Sequence, residues 1–287
     1  MKIFLKIIIP AMMLLTTSGC ALLFDSPPPP LKLPVIAFAD LCQQPSTIFC
    51  QDFDQLPAES SEASEGVFLN GGCAQAENNP HLACPEIEAG TLKFTVPSNS
   101  GGGASGQYYI RFADHNGGQS IGPGQEVFIQ WKQRFSASFL NTHFEGGGGW
   151  KQGIVGAADE YSCSSNEIVL QNSYQRGFPE MYHACGHSWG FETRVWADYV
   201  PDEWMTFQIG LTHGQPGENS RIRLWVSREG RQSKLAIDDQ KVLINTKGYG
   251  KMWLLPYHTN KSANQTHPTG YVWYDQLIIS RTQLPDR

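Results

Sequence analysis

The sequence predicts an all-β protein built as one antiparallel two-sheet β-sandwich, and three observations carry that expectation. Beyond the first 35 residues the chain breaks into short apolar runs separated by Gly, Pro, Asn and Asp, the strand-and-turn pattern of a sandwich. Charged residues make up only 17%, against 11% aromatic, with 29 Gly and 18 Pro, a composition suited to half-buried sheet surfaces. No long run at helical spacing follows the N-terminal segment. A length of 287 residues accommodates one such domain.

The N-terminal segment reads as an address. Lys2 and Lys6 flank the start of an apolar stretch at 7–15, too short to span a bilayer. It ends Thr17-Ser18-Gly19-Cys20, where small residues before a cysteine resemble the bacterial lipobox. Residues 1–19 are then a signal peptide, and Cys20 is acylated. The alternative is an ordinary secretory signal with a coincidental cysteine. An acyl chain anchors a protein to one leaflet without a spanning helix. Ala21, in place of Asp, points such a lipoprotein to the outer membrane. Prolines at 27–30 are extended and semi-rigid. Residues 20–34 are expected to form the anchor and stalk, and 35–287 the single sandwich domain, a monomer.

Net charge bounds the partner. The formal charge is −6, and loss of Lys2 and Lys6 with the signal takes it to −8. That excludes nucleic acid as the main partner and counts against a strongly sulfated glycan. There are seven cysteines; with Cys20 acylated, six remain. An even number in an exported chain implies disulfides, and proximity pairs Cys42 with Cys50, Cys73 with Cys84, and Cys163 with Cys185. The competing reading is a metal site at His183, Cys185 and His187, which alternate on one face of an extended strand. The oxidising compartment favours bridges, so no metal is expected.

Strands are expected at 91–96, 108–112, 126–135, 150–156, 166–172, 179–184 and 191–195, then at 204–211, 222–227, 252–258 and 271–280. In the long 126–135 strand, Val127, Ile129, Trp131, Gln133 and Phe135 share one face and should be core. Gln130, Lys132 and Arg134 share the other. This row is either a plain solvated face or the lining of a concave groove.

The stretch Met252-Trp-Leu-Leu-Pro-Tyr-His-Thr, with Gly270-Tyr-Val-Trp-Tyr-Asp-Gln-Leu-Ile-Ile-Ser280, resembles the closing strands of concanavalin A-like jelly-roll proteins. The polysaccharide lyases related to alginate, glucuronan and heparin lyases are the nearest in pattern. In that group a penultimate strand carries the catalytic tyrosine, which the resemblance places at Tyr257. Gln130-Trp-Lys-Gln-Arg-Phe135 resembles the early strand that supplies an arginine, here Arg134. Trp150-Lys-Gln-Gly-Ile-Val-Gly156 resembles the alginate-lyase strand that supplies a glutamine and a histidine. Gln152 matches the glutamine; Val155 and Gly156 stand near the missing histidine, so His183 or His143 would substitute. The resemblance spans 100–287 and implies β-elimination on a uronic-acid polysaccharide.

That chemistry needs a donor to neutralise the uronate carboxylate, a base for the C5 proton and an acid for the leaving oxygen. The resemblance casts Tyr257 as acid/base, His183 as assisting base, and Gln152 with Arg134 as carboxylate holders. Gln130, Lys132, Lys151, His143 and Trp225 are then substrate-binding candidates. His258, next to Tyr257, should point to the opposite side of an ideal strand. No cofactor is required; calcium occurs in the group, but no acidic ligand cluster announces it. No pair of carboxylates alternates on one strand as in jelly-roll glucanases, which weighs against hydrolysis. A non-catalytic glycan-binding lipoprotein of the same fold is the alternative, with sugars stacked on Trp225, Trp253 or Trp273.

Overall fold

The computed structural model describes residues 36–60, 65–146, 149–158, 167–172, 179–184, 189–193, 198–215, 218–242 and 247–287. The described residues fall within one compact unit, Lys32–Arg287. The signal segment, Cys20, the stalk, Cys163, Cys185 and His187 lie outside them.

The protein is an antiparallel two-sheet sandwich. The first sheet runs, in spatial order, β13 (Lys234–Val242), β12 (Asn219–Arg228), β11 (Met205–Thr212), β6 (Glu126–Phe135), β15 (Gly270–Ser280), β4 (Thr91–Val96) and β3 (Glu86–Glu88). Strand β1 (Thr47–Gln51) pairs with the far end of β15. The second runs β10 (Trp189–Gly190), β9 (Pro179–Ala184), β8 (Glu167–Asn172), β7 (Trp150–Gly156), β14 (Lys251–His258), β5 (Gln107–Ile110) and β2 (Gly66–Phe68). Among the described residues helix is limited to short turns such as α1 (Phe38–Cys42) and α2 (Ala137–Asn141). No helix among the described residues is long and apolar enough to cross a membrane.

Alternation builds the core. Val127, Ile129, Trp131 and Phe135 of β6 face inward, as expected, with Phe207, Ile209 and Leu211 of β11 beside them. Trp131 stacks on Phe207 at 5.8 Å, and Phe135 on Tyr199 at 5.0 Å. From the second sheet, Tyr108, Trp150, Ile168, Met181 and Leu254 fill the other half.

One expected element differs, and the strands β1, β2, β3 and β13 were not foreseen. Of the strand predicted at 191–195, residues 194 and 195 lie outside the described residues; the strand found here is β10, two residues earlier, and Thr193 makes an isolated bridge to Ile237. Strand β13 was missed because Asp238 and Asp239 look like turn residues. Asp238 instead sits opposite Arg223, and the Arg221 guanidinium donates to it through Nε at 2.8 Å and Nη2 at 2.9 Å. A cross-strand ion pair thus keeps an acidic pair inside a strand. Two expected disulfides form, Cys42–Cys50 and Cys73–Cys84, with Cα–Cα distances of 5.8 and 5.3 Å.

The outer face of the first sheet is partly covered by residues 284–287. Gln130 Nε2 donates to Pro285 O (3.0 Å), and Gln208 exchanges two bonds with Leu284 (2.8 and 3.1 Å). Leu41, Ile278 and Leu284 form an apolar cluster there.

Candidate active site

On the outer face of the second sheet, Tyr109, Ile154, Val169, Trp253 and Leu255 form their own apolar cluster, apart from the core. Tyr182 and Tyr257 pack against it. Strict alternation counted back from Ile154 along β7 sends Lys151 inward. The register shifts between Lys151 and Gly153, and this bulge reverses the parity. Gln152 faces the core, and Lys151 joins Ile154 outside.

There Lys151 stands opposite Tyr257 on one neighbouring strand and Gln171 on the other. Its Nζ lies 4.7 Å from the centroid of the Tyr257 ring. Gln171 in turn faces Glu180 and donates to it through Nε2 at 3.1 Å. A cleft of about 200 Å³ opens at Tyr257, lined by Phe68, Asn70, Gly103, Gly106, Gln107 and Leu255. Gly103 lies flat against the phenol: a Cβ there would stand 3.6 Å from the ring. Apolar floor, amide groups and one ammonium converge on a tyrosine.

Burial tunes the titratable groups. It holds the Lys151 ammonium below the ordinary lysine range, against the opposing pull of Glu167. It pushes the Tyr182 phenol above its ordinary value, with Glu167 and Glu180 adding to the effect. A lysine that releases its proton more readily sits beside the Tyr257 phenol, so an amine base and a hydroxyl donor share one face.

The sequence-predicted residues do not all assemble. Tyr257 and Lys151 meet. Arg134 does not join them, because β6 belongs to the first sheet and its outward face is the opposite surface of the sandwich. The Arg134 guanidinium instead lies over the Trp273 ring at 4.2 Å and the Trp204 ring at 5.1 Å. Gln130 is buried, bonded to Pro285 and, through Oε1, to Arg287 Nε at 2.5 Å. Lys132 stands opposite Asp275, and Trp225 packs beside Phe128 and Arg223 on the same far face. Of the two readings of this row, the groove lining is therefore corrected to a partly covered outer face.

Gln152 and His183 are also withdrawn from the carboxylate-holder and base roles. Gln152 is 1% exposed and donates to Tyr199 Oη inside the core. His183 is 0% exposed and alternates with Tyr182 to the core side, with Met181. His143 is exposed on the loop before β7, outside the residues lining the cleft. His258 turns inward, its ring 5.1 Å from Trp150, as alternation requires.

Asn70, Gln107 and the proton-moving capacity of Lys151 were not foreseen. Asn70 follows a three-residue strand in a segment without periodicity, which leaves no sequence signal. Among the described residues no three His, Cys, Asp or Glu side chains gather to hold a metal ion.

No protein-family model and no curated protein sequence matches the chain. Solved structures do. The alginate lyase Aly36B superposes with a TM-score of 0.50 at 15% identity, covering 83% of this chain and 98% of that one. A PL-14 alginate lyase from Aplysia kurodai gives 0.50 at 12% identity, over 69% and 86%. A third, the alginate lyase vAL-1 from Chlorella virus, gives 0.42 at 13% identity, over 69% and 88%. The chain shares the two-sheet sandwich fold of the first two of these alginate lyases.

Proposed function

We propose that the protein is a polysaccharide lyase that cleaves a uronic-acid-containing polymer by β-elimination at the outer face of its second sheet. One observation carries the reading: Lys151 and Tyr257 stand side by side on that face, and Tyr257 lines a cleft. The fold shared with alginate lyases supports it.

The neutral Lys151 amine takes the C5 proton of a bound uronate. The electron pair forms the C4–C5 double bond, the C4–O bond breaks, and the Tyr257 phenol protonates the departing oxygen. Lys151 ammonium then returns its proton to the phenolate, closing the cycle. Side-chain amides of Asn70 and Gln107 line the cleft and supply N–H donors toward the carboxylate as charge builds up. Phe68 and Leu255 offer apolar surface for a sugar ring. Export and acylation at Cys20 complete the proposal, placing the enzyme on the outer membrane.

The test incubates the purified protein with alginate, glucuronan, pectin, ulvan and heparin. New ultraviolet absorbance from an unsaturated uronate, absent in Tyr257→Phe, supports the reading. Binding of a polymer with no such product would favour the glycan-binding alternative, and the absence of both product and binding would sink both readings.

A further inference from the structure

The segment that follows Tyr257 touches two loops at once, one on each side of the reactive pair. We propose that residues 258–267 form a brace that fixes the spacing of Lys151 and Tyr257, with Lys261 as its buried positioning residue. This rests on the reading of those two side chains as the reactive pair.

On one side the brace holds the loop 98–106, whose Gly103 walls the Tyr257 ring. His258 N donates to Gly102 O (3.2 Å), Asn99 N to Gln265 O (2.9 Å) and His267 N to Ser98 Oγ (3.0 Å). Contact is close enough that a Cβ on Gly102 would stand 1.7 Å from His258 O. On the other side it holds the loop 142–146, which leads along the chain to β7 and Lys151. Ser262 N donates to Glu145 O (2.9 Å), Glu145 N to Gln265 Oε1 (2.8 Å) and Gln265 Nε2 to His143 O (2.6 Å). A Cβ on Gly146, which has φ 117°, would stand 2.0 Å from Asn260 O. Two glycines therefore admit the same turn from opposite sides.

Lys261 is set into this junction and is 5% exposed. Its Nζ donates to Ser100 O at 2.6 Å, 161 residues away in sequence, and lies 5.9 Å from the centroid of Phe144, in the loop 142–146. Among the described residues no carboxylate pairs with it. Burial depresses the charged form of this lysine, so the ammonium costs the fold stability that an apolar side chain of similar length would not. What the charge supplies in return is a directed bond to the loop that walls Tyr257. That is a positional role.

Lys261→Met is compared with the wild type, and Gln265→Ala serves as a milder second variant at a partly exposed position. Hydrogen exchange reads the loops, and steady-state kinetics on the polyuronate cleaved by the wild type reads the pair. Expected are faster exchange across 98–106 in Lys261→Met and across 142–146 in Gln265→Ala. Each should lower kcat by about tenfold or more, with KM held within about twofold. Unchanged exchange in both loops would overturn the brace. Faster exchange with unchanged kcat would overturn its part in spacing the pair. A wild type that cleaves no polyuronate would remove the catalytic reading, while exchange still decides whether the brace exists.

Discussion

Lys151 and Tyr257 face each other across β7 and β14 with 4.7 Å between the ammonium nitrogen and the ring centroid. The contact exists because a bulge turns Lys151 out of the core onto the surface that Tyr257 already occupies. A regular, unbulged strand over the same residues would turn the lysine in between the sheets, away from Tyr257.

Removing either member should therefore abolish turnover without unfolding the protein. Lys151→Met and Tyr257→Phe are each expected to lose at least about a hundredfold in kcat. Lys151→Met should melt no lower than the wild type, since burial disfavours the ammonium it replaces. Product absorbance and thermal melts check both; a fully active Tyr257→Phe would remove the mechanism.

The pH profile follows from the direction of the Lys151 shift. A folded-state value below that of the unfolded chain means the fold favours the neutral amine. Activity should rise with pH through that depressed value, reaching its plateau before an ordinary lysine would titrate. By linkage, stability is also gained as pH rises between the folded and unfolded values. Lys151→Met should lack both rises, as rate and melting profiles would show.

Arg134→Met tests the corrected geometry. The side chain lies between Trp204 and Trp273 on the far face, so kcat and KM should stay within about twofold of the wild type. The loss of two ring contacts should cost about 1 kcal/mol in denaturant melts. A large fall in kcat at intact stability would return Arg134 to the active site.

Asp275 should leave a signature in the stability profile. Burial raises its carboxyl from 3.8 to about 6, in spite of Lys132 and Arg287 nearby. The folded state then binds the proton more tightly, and this contribution to stability is lost as pH rises through that window. Asp275→Asn should remove that part of the slope. Paired melts of variant and wild type at several pH values measure it.

The two described disulfides should separate stability from activity. Each closes a short loop, and its replacement by serines should cost about 2–3 kcal/mol on a chain-entropy basis. Loss of Cys73–Cys84 should also lower kcat, because Ala83 N within that loop donates to Ala104 O (2.8 Å), next to Gly103 of the cleft lining. Loss of Cys42–Cys50 should spare it, since that bridge clips α1 to β1 beside the far face. Equal effects on kcat would contradict this placement.

Much of the sandwich was legible because local alternation is a local property. The inward set of β6 and the bounds of β4, β6, β7 and β9 follow from side chains that must choose between water and core. The resemblance to a lyase strand singled out Tyr257, and the structure puts that side chain on an outer face beside Lys151. Lys151 was named as well, as a substrate-binding candidate, but the other residues expected to join the pair were misplaced. Gln130, Lys132 and Arg134 alternate as a groove lining would, yet nothing within ten residues states which sheet, and which surface, a strand joins.

The amino-acid sequence by itself determined the all-β class, the inward residues of the long strands and two of the cysteine pairings. Only tertiary structure decided which polar residues share a face. Sheet membership is fixed by long-range pairing, and one inserted residue at the Lys151–Gly153 bulge inverts the facing of everything before it. Both are cooperative outcomes of packing, so no local pattern encodes them.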